Sequence, residues 1–184
     1  MDDIVWLLNI RGNDIVCNPV VMSYVMMNME TVNFYVQEEA VPKEVKEALE
    51  KAGVVLCPYF QVYEDVKELK ETDKIMVEDV CTNFTLYENI PQHTEVIFEK
   101  NPAAVLKGNK NPVEQENIRI AHIKDAKAMC RFIYWLKKNV GTSEITEYSA
   151  AQKSEAFRRE DEDCLDLSFE TICAYGPNAA MCHY

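Results

Sequence analysis

The sequence predicts an α/β fold, a mixed sheet covered by helices. Three observations carry that expectation. Between residues 20 and 98, short β-rich apolar runs alternate with stretches whose apolar residues recur at helical spacing, the pattern of a largely parallel or mixed sheet with helices on its faces. Helix punctuation agrees with it: Pro42 stands at a first turn, where its missing N–H costs nothing, and Gly53 follows the last periodic residue. Beyond residue 111 the pattern changes to two helical stretches, so a second and different part begins there.

Taken in order, Ile4-Val-Trp-Leu-Leu-Asn-Ile10 reads as a strand, apolar on both faces and therefore central. Arg11-Gly12-Asn13-Asp14 is turn material, and Asn18-Pro19 breaks the chain again. Val20 to Met27 and Thr31 to Val36 read as two strands joined through Asn28-Met29-Glu30 in a hairpin. The helix opened by Pro42 has Val45, Ala48, Leu49 and Ala52 as its apolar stripe. A buried strand at Val54 to Cys57 follows, then a helix from Gln61 to Glu71 striped by Val62, Val66 and Leu69. Lys74 to Val77 reads as a strand, Thr82 to Glu88 as a brief helix and Glu95 to Phe98 as a last strand.

Asn101 to Asn111, with Pro102, Gly108 and three Asn, reads as a linker. Asn111-Pro112-Val113-Glu114 then has the residues of a capping box and should start a helix reaching Val140. Ile118, Ala121, Met129, Phe132, Ile133, Leu136 and Val140 fall on one face of it, and Gly141 stops it. A second helix is expected from Thr146 to about Glu160. The β-prone run Leu165 to Tyr175, the turn Gly176-Pro177 and a shorter apolar run read as a hairpin with His183 on the returning arm. The domains expected are residues 1–110 and 111–184.

Composition excludes several classes. An apolar share of 48% with 27% charged residues is that of a globular protein. Nineteen basic against 31 acidic residues gives a net charge of −12, with no basic stripe, so neither nucleic acid nor an anionic membrane is an expected partner. No apolar run approaches the roughly 18–20 residues that span a bilayer. The start, Met1-Asp2-Asp3, is acidic where a signal peptide is basic, so the expected location is cytoplasmic. Seven cysteines, without a Cys-x-x-Cys pair, suit reduced and mostly buried thiols better than a disulfide frame or a zinc site.

Several separate motifs occur in register: Trp6-Leu-Leu-Asn-Ile-Arg-Gly12, Asn18-Pro19, Ile120-Ala-His-Ile-Lys-Asp-Ala126, Ala156-Phe-Arg-Arg159, Leu165-Asp-Leu-Ser-Phe169 and Gly176-Pro-Asn-Ala-Ala-Met-Cys-His-Tyr184. In this order and spacing they resemble the Xaa-Pro aminopeptidases (aminopeptidase P) in their long three-domain form. The resemblance implies a creatinase-like α/β middle domain lacking its first segment at 1–110. It implies a truncated pita-bread α+β segment, two helices and a β-hairpin, at 111–184. It also implies that residues 101–111 belong to a packed junction. The chain is thus expected to be a fragment of a metallo-aminopeptidase that releases the N-terminal residue from peptides with proline second. Two divalent metal ions, manganese by resemblance, would act in the full-length parent. Their two Asp, one His and two Glu ligands would lie beyond residue 184, so this chain is expected to hold none and to be inactive alone. Proline-containing peptides are then the parent's partners, and a homodimer is allowed. The alternative is a non-catalytic protein-binding or structural module derived from the same pita-bread family.

Among candidate site residues, a lone His183 reads first as a solvated imidazole. The resemblance gives it a catalytic and substrate-binding role beside the metal centre, relaying a proton near neutral pH. Arg11 has two readings, facing the substrate cleft as in the family architecture or pairing with Asp14. Glu160-Asp161-Glu162-Asp163 with Asp166 reads as a solvated helix end and not a metal site. His122 reads as a capping or packing residue or a partner of Asp125, and His93 as a loop residue without a partner. Cys182 and His183, as neighbours on a strand, would point to opposite faces and cannot form a catalytic pair. Gly12 alone is no phosphate loop.

Overall fold

Alternation along one five-residue strand organises the first half of the molecule. In the computed structural model, which describes residues 1–182, β1 (Tyr24–Met27) and β2 (Val32–Val36) form the expected hairpin. β3 (Val54–Pro58) joins β2 in parallel, which gives a mixed sheet of order β1-β2-β3. Phe34 lies opposite Val25 and Leu56, while Tyr35 lies opposite Tyr24 and Cys57. Successive residues point to opposite faces, so each set of three belongs to a separate core. Phe34, Val36, Leu49 and Val54 are buried on one face, and Tyr35, Cys57 and Val62 on the other.

Helices close the first face. α2 (Lys43–Lys51) brings Val45 and Leu49, and ends at Gly53, whose φ of 84° suits a residue without Cβ. The other cover corrects the sequence reading. Residues expected as a central strand are instead α1 (Asp2–Leu7), which packs Ile4, with Leu8 beyond its end, against the core. A short apolar run does not distinguish strand from buried helix. Here Asp2 and Asp3 in the first turn favour a helix N-terminus, and Ile4 and Leu8, four residues apart, share one face.

The second face is covered less regularly. The expected helix over 61–71 is three short pieces: a 3-10 turn at Tyr59–Gln61, α3 (Val62–Asp65) and a second 3-10 turn at Val66–Glu68. Aromatic contacts anchor it, with Tyr24 5.3 Å from Tyr59 and 6.0 Å from Tyr63 between ring centroids. The Tyr24 and Tyr63 hydroxyls share a hydrogen bond of 3.0 Å, and Tyr35 donates to Asp65 over 2.8 Å. Burial first, then the bond to Asp65, raises the Tyr35 phenol well above its ordinary value of 10.0. The folded chain therefore keeps this proton after the unfolded chain has lost it, and stability falls as pH rises through the folded value. Urea unfolding between pH 9 and 11.5 should show a declining midpoint whose slope is reduced by Tyr35→Phe. Equal slopes in the two proteins would contradict this assignment.

β4 (Lys74–Val77) and β5 (Glu95–Phe98) form where expected. They pair in parallel as a separate two-stranded sheet and do not extend the first one. α4 (Phe84–Glu88) lies between them in sequence, its N-terminus capped by Asn83. The stretch read as a linker contains α5 (Pro102–Gly108), a helix that the sequence reading did not place there. Asn101 caps it and also donates from its side chain to Asp3 (3.0 Å), while its N–H donates to Glu78 (3.1 Å). Residues 1–15 and 19–109 make one compact unit, and 16–18 belong with the chain from Lys110 onward.

The second unit is built on α6 (Pro112–Asn139), which starts with the expected reciprocal capping box between Asn111 and Glu114. α7 (Glu147–Arg158) starts with another, between Thr146 and Ser149. Small residues, Ala128 on α6 and Ala150 and Ser154 on α7, are buried where the two helices meet. Only one edge of the predicted α6 stripe is covered. Phe132 and Leu136 are half-buried, whereas Ile118, Ile133 and Val140 are exposed. The predicted hairpin is also absent: among the described residues no strand forms between 165 and 182, and Gly176–Ala180 is a 3-10 turn. A β-prone run needs a neighbouring strand to take its N–H and C=O groups. Leu165, Phe169, Ile172 and Tyr175 are accordingly exposed.

Candidate functional site

Arg11 is positioned by the turn that follows α1. One guanidinium nitrogen donates to the carbonyls of Ile10 (2.7 Å) and Val5 (3.2 Å), tying the side chain to the end of the helix. Asp14, the partner in one of the two readings of Arg11, has its carboxylate accepting from the Met22 N–H over 2.7 Å. Gly12, dismissed as a phosphate loop, has a packing role that spacing does not reveal. A Cβ there would sit 2.5 Å from the Val21 side chain and 2.8 Å from the Val20 carbonyl oxygen. Its N–H donates to Pro19 and the Asp14 N–H to Val20. The glycine thus lets the Arg11 turn lie directly on the segment leading into β1, and Arg11 stays exposed.

His183 lies outside the described residues, as does the predicted relation between Cys182 and His183. The stretch leading to it is described and has an anchor that sequence reasoning missed. Tyr175 is extended, Gly176 has a φ of 59°, and the 3-10 turn over Gly176–Ala180 follows. Glu147, at the start of α7, accepts from the Tyr175 N–H (2.6 Å) and from the Asn178 side-chain amide (3.0 and 2.9 Å). In sequence Glu147 signals only an acidic first helical turn; a partner 28 residues away leaves no local pattern.

The acidic run after α7 is also assigned by the structure. Lys124 contacts both Asp161 (3.0 Å) and Asp163, Arg131 contacts Glu160, and Arg159 contacts Asp166 (3.3 Å). The Lys124 ammonium, followed by the Asp163 N–H, holds the Asp161 carboxyl below its ordinary range. Hydrogen bonds to Asp163 and Asp161 raise Lys124. The run read as a solvated helix end is largely exposed, and Glu160, Asp161, Asp163 and Asp166 in it also pair with basic residues of α6 and the end of α7. Asp125 is taken by Arg158 at 2.6 Å, and not by His122. His93, expected to lack a partner, bonds through its ring to the Leu69 carbonyl at 2.9 Å.

Among the described residues, no group of three or more His, Cys, Asp or Glu side chains is placed to hold a metal ion. In the acidic run, Glu160, Asp161, Asp163 and Asp166 are each turned to Lys124, Arg131 or Arg159, so these residues do not fit a two-ion centre. The seven cysteines are free thiols, but fewer are buried than expected: Cys57 is buried, and Cys81, Cys130 and Cys182 are exposed. No helix among the described residues is long and apolar enough to cross a membrane.

Comparison with known proteins gives this arrangement a context. Residues 1–114 match the creatinase/prolidase N-terminal domain, and residues 116–184 match metallopeptidase family M24. Xaa-Pro aminopeptidase 1 of Dictyostelium discoideum is 35% identical over 100% of this chain and 30% of its own length. Xaa-Pro aminopeptidase 2 of Sus scrofa is 34% identical over 100% of this chain and 28% of its own. The crystal structure of X-prolyl aminopeptidase from Caenorhabditis elegans, described as a cytosolic enzyme with a di-nuclear active site, superposes with a TM-score of 0.86 at 27% identity. That match covers 94% of this chain and 29% of the other. The chain therefore spans about 30% of the length of such relatives. With its N-terminal 114 residues matched to one domain and the remainder to the next, the chain belongs to the creatinase/prolidase N-terminal domain family and runs on into metallopeptidase family M24.

Proposed function

We propose that this chain is part of an Xaa-Pro aminopeptidase, a hydrolase that releases the N-terminal residue from peptides with proline at the second position. The observation that carries this reading is similarity along the whole chain, with 35% and 34% identity over all of it to proteins of that name. In this reading residues 1–110 are a creatinase-like middle domain and residues 111–184 open the metallopeptidase domain. His183 contacts substrate and relays a proton, and Arg11 is offered to the substrate. Two divalent ions, manganese in the first instance, are held by residues outside this chain. The parent works in the cytoplasm, as a homodimer if it pairs at all.

Such chemistry needs a hydroxide formed near neutral pH and a polarised scissile carbonyl, both of which metal ions supply. The described residues supply neither, so the chain alone is expected to be inactive. Purified chain incubated with a Xaa-Pro peptide and Mn(II) should release amino acid no faster than Mn(II) alone. Turnover clearly above that blank, removed by a chelator, would overturn the division of labour proposed here.

A further inference from the structure

Two long stretches of the chain lie outside helices and strands, residues 8–23 and 159–175. Backbone hydrogen bonds stitch the first one down: the N–H groups of Asn9, Ile10, Gly12 and Asp14 donate to carbonyls, and that of Met22 to the Asp14 carboxylate. The second begins in the same way. Asp161, Asp163, Cys164, Leu165 and Leu167 all donate from their N–H groups, and the acidic run pairs with Lys124, Arg131 and Arg159. Beyond Leu167 the pattern stops. Among the described residues, no backbone N–H from Ser168 to Ala174 donates a hydrogen bond, although that of Tyr175 does. Leu165, Phe169, Ile172 and Tyr175 are exposed along this span.

We propose that residues 165–175 are a proteolytic processing site, recognised by endoproteases that take an extended chain with a large apolar side chain before the cut bond. A protease must draw several residues into its cleft and bond their backbone groups, so any hydrogen bond the substrate makes to itself has to open first. Exposure of a side chain alone is not enough. Phe60, Tyr134 and Phe169 are 73%, 66% and 68% exposed, yet Phe60 lies in a 3-10 turn and Tyr134 within α6. Phe169 combines an exposed ring with backbone N–H groups that have no bond to break, and so it can enter the hydrophobic slot of a chymotrypsin-like protease without prior unfolding. One water is consumed: the C–N bond between Phe169 and Glu170 breaks, the hydroxyl joins the Phe169 carbonyl carbon, and the proton goes to the Glu170 nitrogen. The cut parts α6 and α7 from the stretch that leads to His183, and the site stands independently of the activity proposed above.

Limited proteolysis of the whole chain under native conditions, with fragments identified by mass spectrometry, tests this. Chymotrypsin should cut first after Phe169, at least about tenfold faster than after Phe60 or Tyr134, where a turn or a helix must open beforehand. Proteinase K, a protease of broad side-chain preference, should also make its first cut within 165–175 and not within 8–23. Phe169→Ala separates the contribution of the ring from that of the backbone. Loss of intact variant to chymotrypsin should be slower by at least about threefold, and loss to proteinase K should change by less than about twofold. A first cut by either protease outside 165–175 would overturn the proposal. Equal chymotrypsin rates for the two proteins would overturn it as well.

Discussion

Phe34→Ala is expected to lower the stability of the chain by about 3–5 kcal/mol, the usual cost of removing a large aromatic side chain from a closed core. Phe34 is 1% exposed and lies in the central strand of the three-stranded sheet. Val36, Leu49 and Val54 bury with it, and residues from α1, β1, β3 and α2 pack around them. No single neighbour can fill the vacated space, because the side chain is reached from so many elements; the cavity and the lost transfer energy therefore add. With an m-value of roughly 1–3 kcal/mol/M in urea, the first unit should unfold at a midpoint lower by at least 1 M. Phe169→Ala is the natural control: the same atoms are removed from a side chain 68% exposed, and the change should stay within about 0.5 kcal/mol. A Phe34→Ala effect no larger than the control would mean that the alternation in β2 does not define the core.

Local chemistry made much of this fold legible. The Asn111–Glu114 capping box depends on residues three apart, so four letters contain it, and the structure forms both of its bonds. β4 and β5 run over the predicted residues because each is a short apolar run between turn signals. What was misread depended on partners distant in sequence. Ile4 to Ile10 is apolar enough for either a strand or a helix, and the choice is made by packing against Phe34 and Leu49. Leu165 to Tyr175 has the composition of a strand, yet composition provides no neighbouring strand to bond with.

The candidate site divides along the same line. Its chemical types were readable, since Arg11 and the acidic run stand out in sequence. Their geometry was not. Arg11 is held by carbonyls at Val5 and Ile10, and no residue type announces a carbonyl acceptor. The acidic run is matched by Lys124 and Arg131, which lie about thirty to forty residues earlier on another helix. Glu147 looked like an ordinary first-turn carboxylate, although it anchors the stretch that leads to His183.

His183→Ala is expected to have the largest effect of all. It is to be made in a longer protein that includes this chain and continues through the rest of the metallopeptidase domain. On the proposed reading, kcat/KM for a Xaa-Pro peptide should fall by about 10²–10⁴-fold, the usual contribution of a positioned proton-transfer group. At roughly 1.4 kcal/mol per tenfold, that loss is about 2.8–5.6 kcal/mol, reaching past the cost of the Phe34 cavity at its upper end. The way the loss divides identifies the role. A proton relay lost from the transition state lowers kcat, whereas a lost substrate contact raises KM with kcat preserved. General acid–base work by an imidazole also leaves a mark on the pH profile. If it must be neutral to accept a proton, activity declines in the parent as acid protonates it, and the decline should flatten in the variant. Two controls separate this from a general histidine effect. The His93 ring is engaged with the Leu69 carbonyl, and His122 sits on an exposed part of α6. Alanine at either should change kcat/KM by less than about threefold, and an equal loss at His122, or none at His183, would remove His183 from the reaction.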